Sequence, residues 1–245
     1  MIKKGTRNSV IQAILWMVFA TGLQAIASGL VRKLSSNLGV FQLVFFFSLI
    51  AAILLLPMAM RLAPNSFKSV RNRLGLYSAR GILSFVGMLT SFYAYSVMDI
   101  ANVQSLLFTL PLFTILLASL LLKEFVGFRG WLCCVIGFFG ALIIIRPGVI
   151  PLNPGAFAAL LSALAFAAAN ITIRKLGRTE SPIMITLVSN MIVVPLAGFP
   201  AALNWVQPEW HQFPWILAMG VLFMGAQVCL TFSIREADAR IVQSI

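Results

Sequence analysis

The residues of this chain that could hold a solute are few, polar and set singly into long apolar runs. Asn102, Ser105 and Thr109 stand at i, i+3 and i+7, one face of a helix. Their amide and hydroxyls can trade hydrogen bonds with a polar solute or, more plainly, with a neighbouring helix. Pro111 follows and cannot donate to the carbonyl of Leu107, so this helix is expected to kink and leave an acceptor for solute or water. Ser84, Gly87, Ser91 and Tyr95 make a second face at helical spacing, where Gly87 and Ser91 permit close helix approach. Tyr95 offers a hydroxyl and a ring that can stack on a planar solute, or serves as an interface tyrosine. The guanidinium of Arg80 suits a carboxylate or phosphate; snorkelling to headgroups is its alternative use. Gln24, Asn170 and Gln227, the last with Thr231 beside it, complete the candidates. The expected solute-binding set is therefore Gln24, Arg80, Tyr95, Asn102, Ser105, Thr109, Asn170 and Gln227.

Bond-breaking chemistry has little to work with. His211 is the one histidine, and no H-E-x-x-H, paired helical aspartates or G-x-S-x-G elbow is present. The reading is not an enzyme, with no catalytic residue, no metal and no cofactor. None of the six acids lies deep in an apolar run; Asp99, Glu124 and Glu209 sit in connections or at run ends. A proton relay through a buried carboxylate is thus unsupported. Cys133, Cys134 and Cys229 fall inside apolar runs and read as packing residues, as does the small face Cys133, Gly137 and Ala141. The 20 phenylalanines read mostly as packing or lipid-facing bulk.

The composition says which elements must carry these residues. Of 245 residues, 60% are hydrophobic and 10% charged, against about 25% charged in a soluble protein. Mean hydropathy is +0.99. Such a chain cannot build a polar skin, and lipid is the solvent it fits. Its net charge of +12 sits in short clusters between apolar runs, which argues against nucleic acid and for headgroups and orientation. Runs long enough to cross a bilayer recur at 10–30, 39–60, 76–98, 101–122, 130–145, 154–173, 182–203 and 214–234, with a ninth starting near Ala239. The first has basic residues before it and an Ala25-Ile26-Ala27 that resembles a cleavage site; its partner in an internal repeat marks it as a retained span. With the N-terminus cytoplasmic, 14 Lys and Arg fall inside and only Arg32, Lys33 and Arg146 outside.

Three short matches recur in order: Val31-Arg32-Lys33-Leu34 with Ile173-Arg174-Lys175-Leu176, Pro57-Met58-Ala59 with Pro200-Ala201-Ala202, and Val103-Gln104-Ser105 with Val242-Gln243-Ser244. Their offsets are 142, 143 and 139. The unit is five helices used twice, and an odd number inverts the second copy, as in many secondary transporters. The fold class expected is all-α: a polytopic bundle with an inverted repeat of five helices, ten expected and eight complete plus the start of a ninth here. The units are 1–148 and 149–245, the second incomplete, so the chain reads as C-terminally truncated.

The run Ala101-Asn102-Val103-Gln104-Ser105-Leu106-Leu107-Phe108-Thr109-Leu110-Pro111-Leu112-Phe113 resembles the fourth helix of the drug/metabolite transporter superfamily, EamA type. Leu120-Leu121-Leu122-Lys123-Glu124 resembles its helix-ending LLLGE, with Lys123 where Gly is usual. Arg129-Gly130-Trp131, Gly137-Phe138-Phe139-Gly140 and Ile145-Arg146-Pro147-Gly148 are similar to its fifth helix and exit, and Glu236-Ala237-Asp238-Ala239 to the start of its ninth. The resemblance implies ten helices, cytoplasmic termini, and a permease of the inner (plasma) membrane that moves a small organic solute by alternating access. Arg80-Gly81 and the Arg-Pro-Gly exit resemble members tied to riboflavin or S-adenosylmethionine. The partners implied are a small-molecule solute and the lipid bilayer, with a homodimer as a further option. A non-transporting truncated remnant or membrane packing partner is the competing reading.

Overall fold

In the computed structural model of the chain, the described residues are 4–62, 70–122, 131–132, 135–136, 139, 154–177 and 179–243. They form α1 (Lys4–Leu34), α2 (Val40–Leu62), α3 (Leu74–Val97), α4 (Ile100–Leu107), α5 (Leu110–Leu117) continuing as a π-helical turn (Ala118–Leu122), α6 (Pro154–Gly177), α7 (Pro182–Leu203), a 3₁₀ turn (Trp210–Gln212) and α8 (Phe213–Gln243). This is an all-α, multi-pass bundle. Six segments among the described residues are long and apolar enough to cross a membrane: Ile14–Leu34, Val40–Arg61, Ile100–Leu121, Pro154–Gly177, Pro182–Leu203 and Trp210–Ser233. They match the first, second, fourth, sixth, seventh and eighth expected spans. The third is α3, which carries Arg80, three tyrosines and four serines and is correspondingly less apolar. The fifth expected span, with its Cys133, Gly137 and Ala141 face, lies largely outside the described residues. α8 continues as helix past Ala239, where the sequence starts a ninth span.

Local sequence explains the breaks. The hydroxyl of Ser181 accepts from the Met184 amide at 3.2 Å and Pro182 occupies the first turn, so α7 starts where an N-cap and a missing N–H are cheapest. The expected disruption before Pro111 is present: the fourth span divides at Phe108-Thr109 into α4 and α5, because Pro111 supplies no N–H to Leu107.

Three helix pairs dominate the packing: α1 on α8, α3 on α6, and α2 on α7. α6 packs on α3 through Ala159 and Ala163, both fully buried in one cluster with Met88 and Phe92 of α3. Gly87 lies so near the Phe166 ring that an added Cβ would stand 2.9 Å away. The Ser162 hydroxyl donates to the Gly87 carbonyl at 2.8 Å. The two helices run antiparallel, with Gly155 against Val97 and Met98 at one end and Tyr77 clustered with Ile173 and Leu176 at the other. α1 and α8 are antiparallel too. Trp16 stacks on Phe232 at 5.5 Å, Leu23 meets Gly225, and the Lys33 ammonium sits 3.7 Å from the Trp215 ring centre. Large apolar side chains such as Phe199, Leu203, Phe19 and Ile26 point outward, as lipid allows.

Candidate solute-binding cavity

The face of α3 that turns inward begins at Tyr77 and repeats through Arg80, Ser84, Gly87, Ser91 and Tyr95, all buried. Between this face and helices α1, α2, α6 and α8 lies a cavity of about 90 Å³, room for several waters at the ~10–15 Å³ each needs. It gathers five of the eight expected site residues onto one wall system: Gln24 from α1, Arg80 and Tyr95 from α3, Asn170 from α6 and Gln227 from α8. These residues span 203 positions of sequence, so only the helix packing brings them together.

Arg80 is 4% exposed, its side chain enclosed by the surrounding helices. Its Nε meets no hydrogen-bond acceptor, and it makes no ion pair among the described residues. Tyr95 is 1% exposed and therefore not an interface-belt tyrosine. Its hydroxyl accepts from Gln104 Nε2 at 3.1 Å, and the same amide reaches Ser28 Oγ at 3.5 Å. This small network ties α3, α4 and α1 together beside the cavity.

The stripe on the fourth span behaves differently. Ser105 donates to the Ala101 carbonyl at 2.8 Å and Thr109 to the Leu106 carbonyl at 2.7 Å. Asn102 is half-buried, and none of the three lines the cavity. What this span does contribute is its break: Leu107 and Leu110, on either side of it, both line the cavity wall.

Two groups of residues escaped the sequence reading. Four phenylalanines, Phe47, Phe92, Phe166 and Phe223, line the cavity and not the lipid face. The ring of Phe223 meets Phe47 at 5.6 Å and Phe92 at 5.3 Å. Nothing separates them from 16 other phenylalanines by type; Phe92 alone carried a signal, lying one residue from Ser91 on the polar face of α3. The other is Glu180, which stands in the α6–α7 connection yet is 2% exposed, close to Tyr77. The α6–α7 turn is tucked under the start of α3, and that burial is tertiary.

At the opposite end of α3 the last carbonyls have no partners within the helix. Arg32 of α1 supplies them: its guanidinium donates to the Tyr95 carbonyl at 3.1 Å and to the Met98 carbonyl, and sits 3.8 Å from the Asp99 carboxylate. Gln42 makes a two-way bond with Val206, its amide donating at 2.6 Å and accepting at 3.3 Å. The end of the bundle marked by Arg32 is thus tied across α1, α2, α3 and the α7–α8 connection.

A cavity lined by polar groups in a bundle of apolar helices is a candidate solute site, and known proteins give its context. Residues 11–146, more than half the chain, match the model of the EamA-like transporter family. The chain belongs to that family. It is a membrane transporter of small solutes and not an enzyme. Over 238 residues it is 26% identical to the S-adenosylmethionine uptake transporter of Rickettsia prowazekii, covering 95% of this chain and 79% of that one. It is 27% identical over 245 residues to a riboflavin transporter of Vibrio cholerae, covering 97% and 80%. It is also 27% identical over 234 residues to the pseudopaline exporter CntI of Pseudomonas aeruginosa, covering 94% and 80%. As an EamA-like protein the chain has the bilayer and a small-molecule solute as its partners, and the cavity wall of α1 and α3 lies within the matched region.

Proposed function

We propose that this transporter moves its solute across the inner membrane by alternating access, with the solute held in the cavity between α1, α3, α6 and α8. The observation that carries the reading is the convergence of Gln24, Arg80, Tyr95, Asn170 and Gln227 from four helices on one buried space. Polar groups are costly in hydrocarbon, and a shared aqueous site is where they are tolerated. The relatives named for S-adenosylmethionine and riboflavin make those two solutes the first to try.

The packing supports two inverted units, 1–148 and 149–245. Exchanging α1 with α6, α2 with α7 and α3 with α8 turns the α1–α8 contact into the α6–α3 contact and returns the α2–α7 contact to itself. Those are the three principal pairings of the bundle. A two-fold axis in the membrane plane would generate this pattern, and such an axis is the usual frame for alternating access. The excess of Lys and Arg supports a cytoplasmic N-terminus. Arg32 and Asp99 then tie the outer end, and Tyr77 and Glu180 lie at the inner.

Uptake into proteoliposomes tests the function: saturable entry of labelled S-adenosylmethionine, riboflavin or another small metabolite is expected, and entry no faster than in empty vesicles across the panel would reject it. Orientation is read separately in intact cells. In a variant with Cys133, Cys134 and Cys229 replaced, Ser36→Cys and Gln207→Cys should react with a membrane-impermeant maleimide and Arg61→Cys should not. The reverse pattern would overturn the cytoplasmic N-terminus.

A further inference from the structure

The charge inside the cavity narrows the kind of solute it accepts. Arg80 is the one ionisable cation on its wall, and no acid lines it among the described residues. The guanidinium is buried, Nε has no acceptor, and no carboxylate pairs with it among the described residues. A buried cation without a counter-charge is costly, more so at membrane depth. A solute that brings a negative charge offsets that cost on binding, and one that brings a positive charge adds to it. A guanidinium fork matches a carboxylate with two parallel hydrogen bonds. One arginine also matches one charge: a phosphate monoester carries about −1.5 to −2 near neutrality and would leave a remainder unpaired.

Arg80 of α3 and Asn170 of α6 both line the cavity, in the stretch of the α3–α6 interface between the Tyr77–Ile173 cluster and the Gly87–Phe166 contact. Farther along α3 the cavity wall turns aromatic: Phe223 meets Phe47 and Phe92 there, with Met88 on the same wall and the hydroxyls of Ser91 and Tyr95 beside them. Phe92 lies twelve residues beyond Arg80 on α3, about 18 Å of helix rise. Allowing for the reach of the arginine, the polar and aromatic ends are on the order of 10 Å apart.

We propose that the cavity selects an elongated solute carrying a single carboxylate at one end, received by Arg80, and a flat ring at the other, received by the Phe47, Phe92 and Phe223 slot. A cation that carries no carboxylate is excluded. This rests on the reading that the cavity is the solute site.

Four probes separate the two recognition elements: 4-phenylbutyrate, its primary amide, 4-phenylbutylamine and ring-free butyrate, each tested on the protein in lipid nanodiscs by thermal unfolding and titration calorimetry. A specific ligand raises the unfolding temperature by mass action. Phenylbutyrate is expected to bind at least tenfold more tightly than the other three. In Arg80→Gln acid and amide should bind alike, and Arg80→Lys should keep part of the acid preference. Equal binding of acid and amide by the natural chain, no binding of phenylbutyrate, or an acid preference that survives Arg80→Gln would overturn the proposal. Met88→Trp, checked for an unchanged unfolding temperature without ligand, distinguishes the premise. If the cavity is the site, Met88→Trp removes binding of all probes whatever their charge. If binding and acid preference both survive it, the cavity is not the site and both readings fall.

Discussion

Two polar stripes run along neighbouring helices of this bundle, one on α3 and one on α4 and α5, and they end in different surroundings. On α4 and α5 the polar groups fold back on their own helix: Ser105 bonds Ala101 and Thr109 bonds Leu106. The short side chains of α3 do the same, with Ser84 bonding the Arg80 carbonyl at 2.7 Å and Ser91 the Met88 carbonyl at 3.0 Å. What sets α3 apart is Arg80 and Tyr95, whose polar ends are too far from their own main chain to be satisfied there. A hydroxyl one atom from Cβ can borrow a carbonyl three or four residues back; a guanidinium or phenol has to find another helix, water or a solute. The five expected residues that reach the cavity are all of the longer kind, arginine, tyrosine, glutamine or asparagine. Reach alone does not decide it, since Ser91 lines the cavity and Asn102 does not; spacing identified faces that avoid lipid, and helix packing decided which of them serves a cavity.

The comparison can be tested by substitution, with transport measured per folded protein in proteoliposomes. Arg80→Gln should lower uptake of a carboxylate-bearing solute by about 10–100-fold, the loss expected when a charged hydrogen bond of ~1.5–3 kcal/mol is removed. A change under twofold would put Arg80 with the residues that merely pack. Gly87→Leu drives a side chain into the Phe166 ring, where even a Cβ would sit at 2.9 Å. Overpacking of this sort costs about 1–3 kcal/mol, and the thermal unfolding midpoint should fall, taking the α3–α6 wall of the cavity with it. An unchanged midpoint would mean the two helices can separate freely. Tyr95→Phe removes the acceptor of Gln104 at 3.1 Å, a bond worth ~0.5–1.5 kcal/mol, so uptake should fall by about 2–10-fold. Thr109→Val and Ser105→Ala lose only bonds within their own helix and should change uptake by less than about twofold. A larger effect from either would show that the fourth-span stripe meets the solute at another stage of the cycle, and the contrast between the stripes would break.

Some of the candidate site was legible because the residues concerned are rare in apolar runs. Arg80, Gln24, Asn170 and Gln227 stood out by type alone, since hydrocarbon tolerates them only where something inside the protein receives them. The kink before Pro111 was legible from a missing N–H. Phe47, Phe166 and Phe223 were not, because a phenylalanine facing a ring slot and one facing lipid obey the same pattern. The burial of Glu180 was hidden for a related reason: it stands in a short connection, and connections ordinarily lie at the surface. Asn102, Ser105 and Thr109 were visible as a face, while the spacing carried no information on where their hydroxyls would find partners.

By itself the sequence determined the solvent of this protein, the number and limits of most of its spans, and the short list of polar groups that had to be hidden from lipid. These follow from composition and periodicity, which act over one helix at a time. The tertiary structure decided which helices pair, α1 with α8, α3 with α6 and α2 with α7, and therefore which members of the list share one cavity. It also decided that Arg80 is buried without a counter-charge among the described residues. The physical reason is one of range. Transfer into lipid is a property of each residue and its near neighbours, whereas the partner of a buried charge, or its absence, depends on helices that meet across more than a hundred residues of chain.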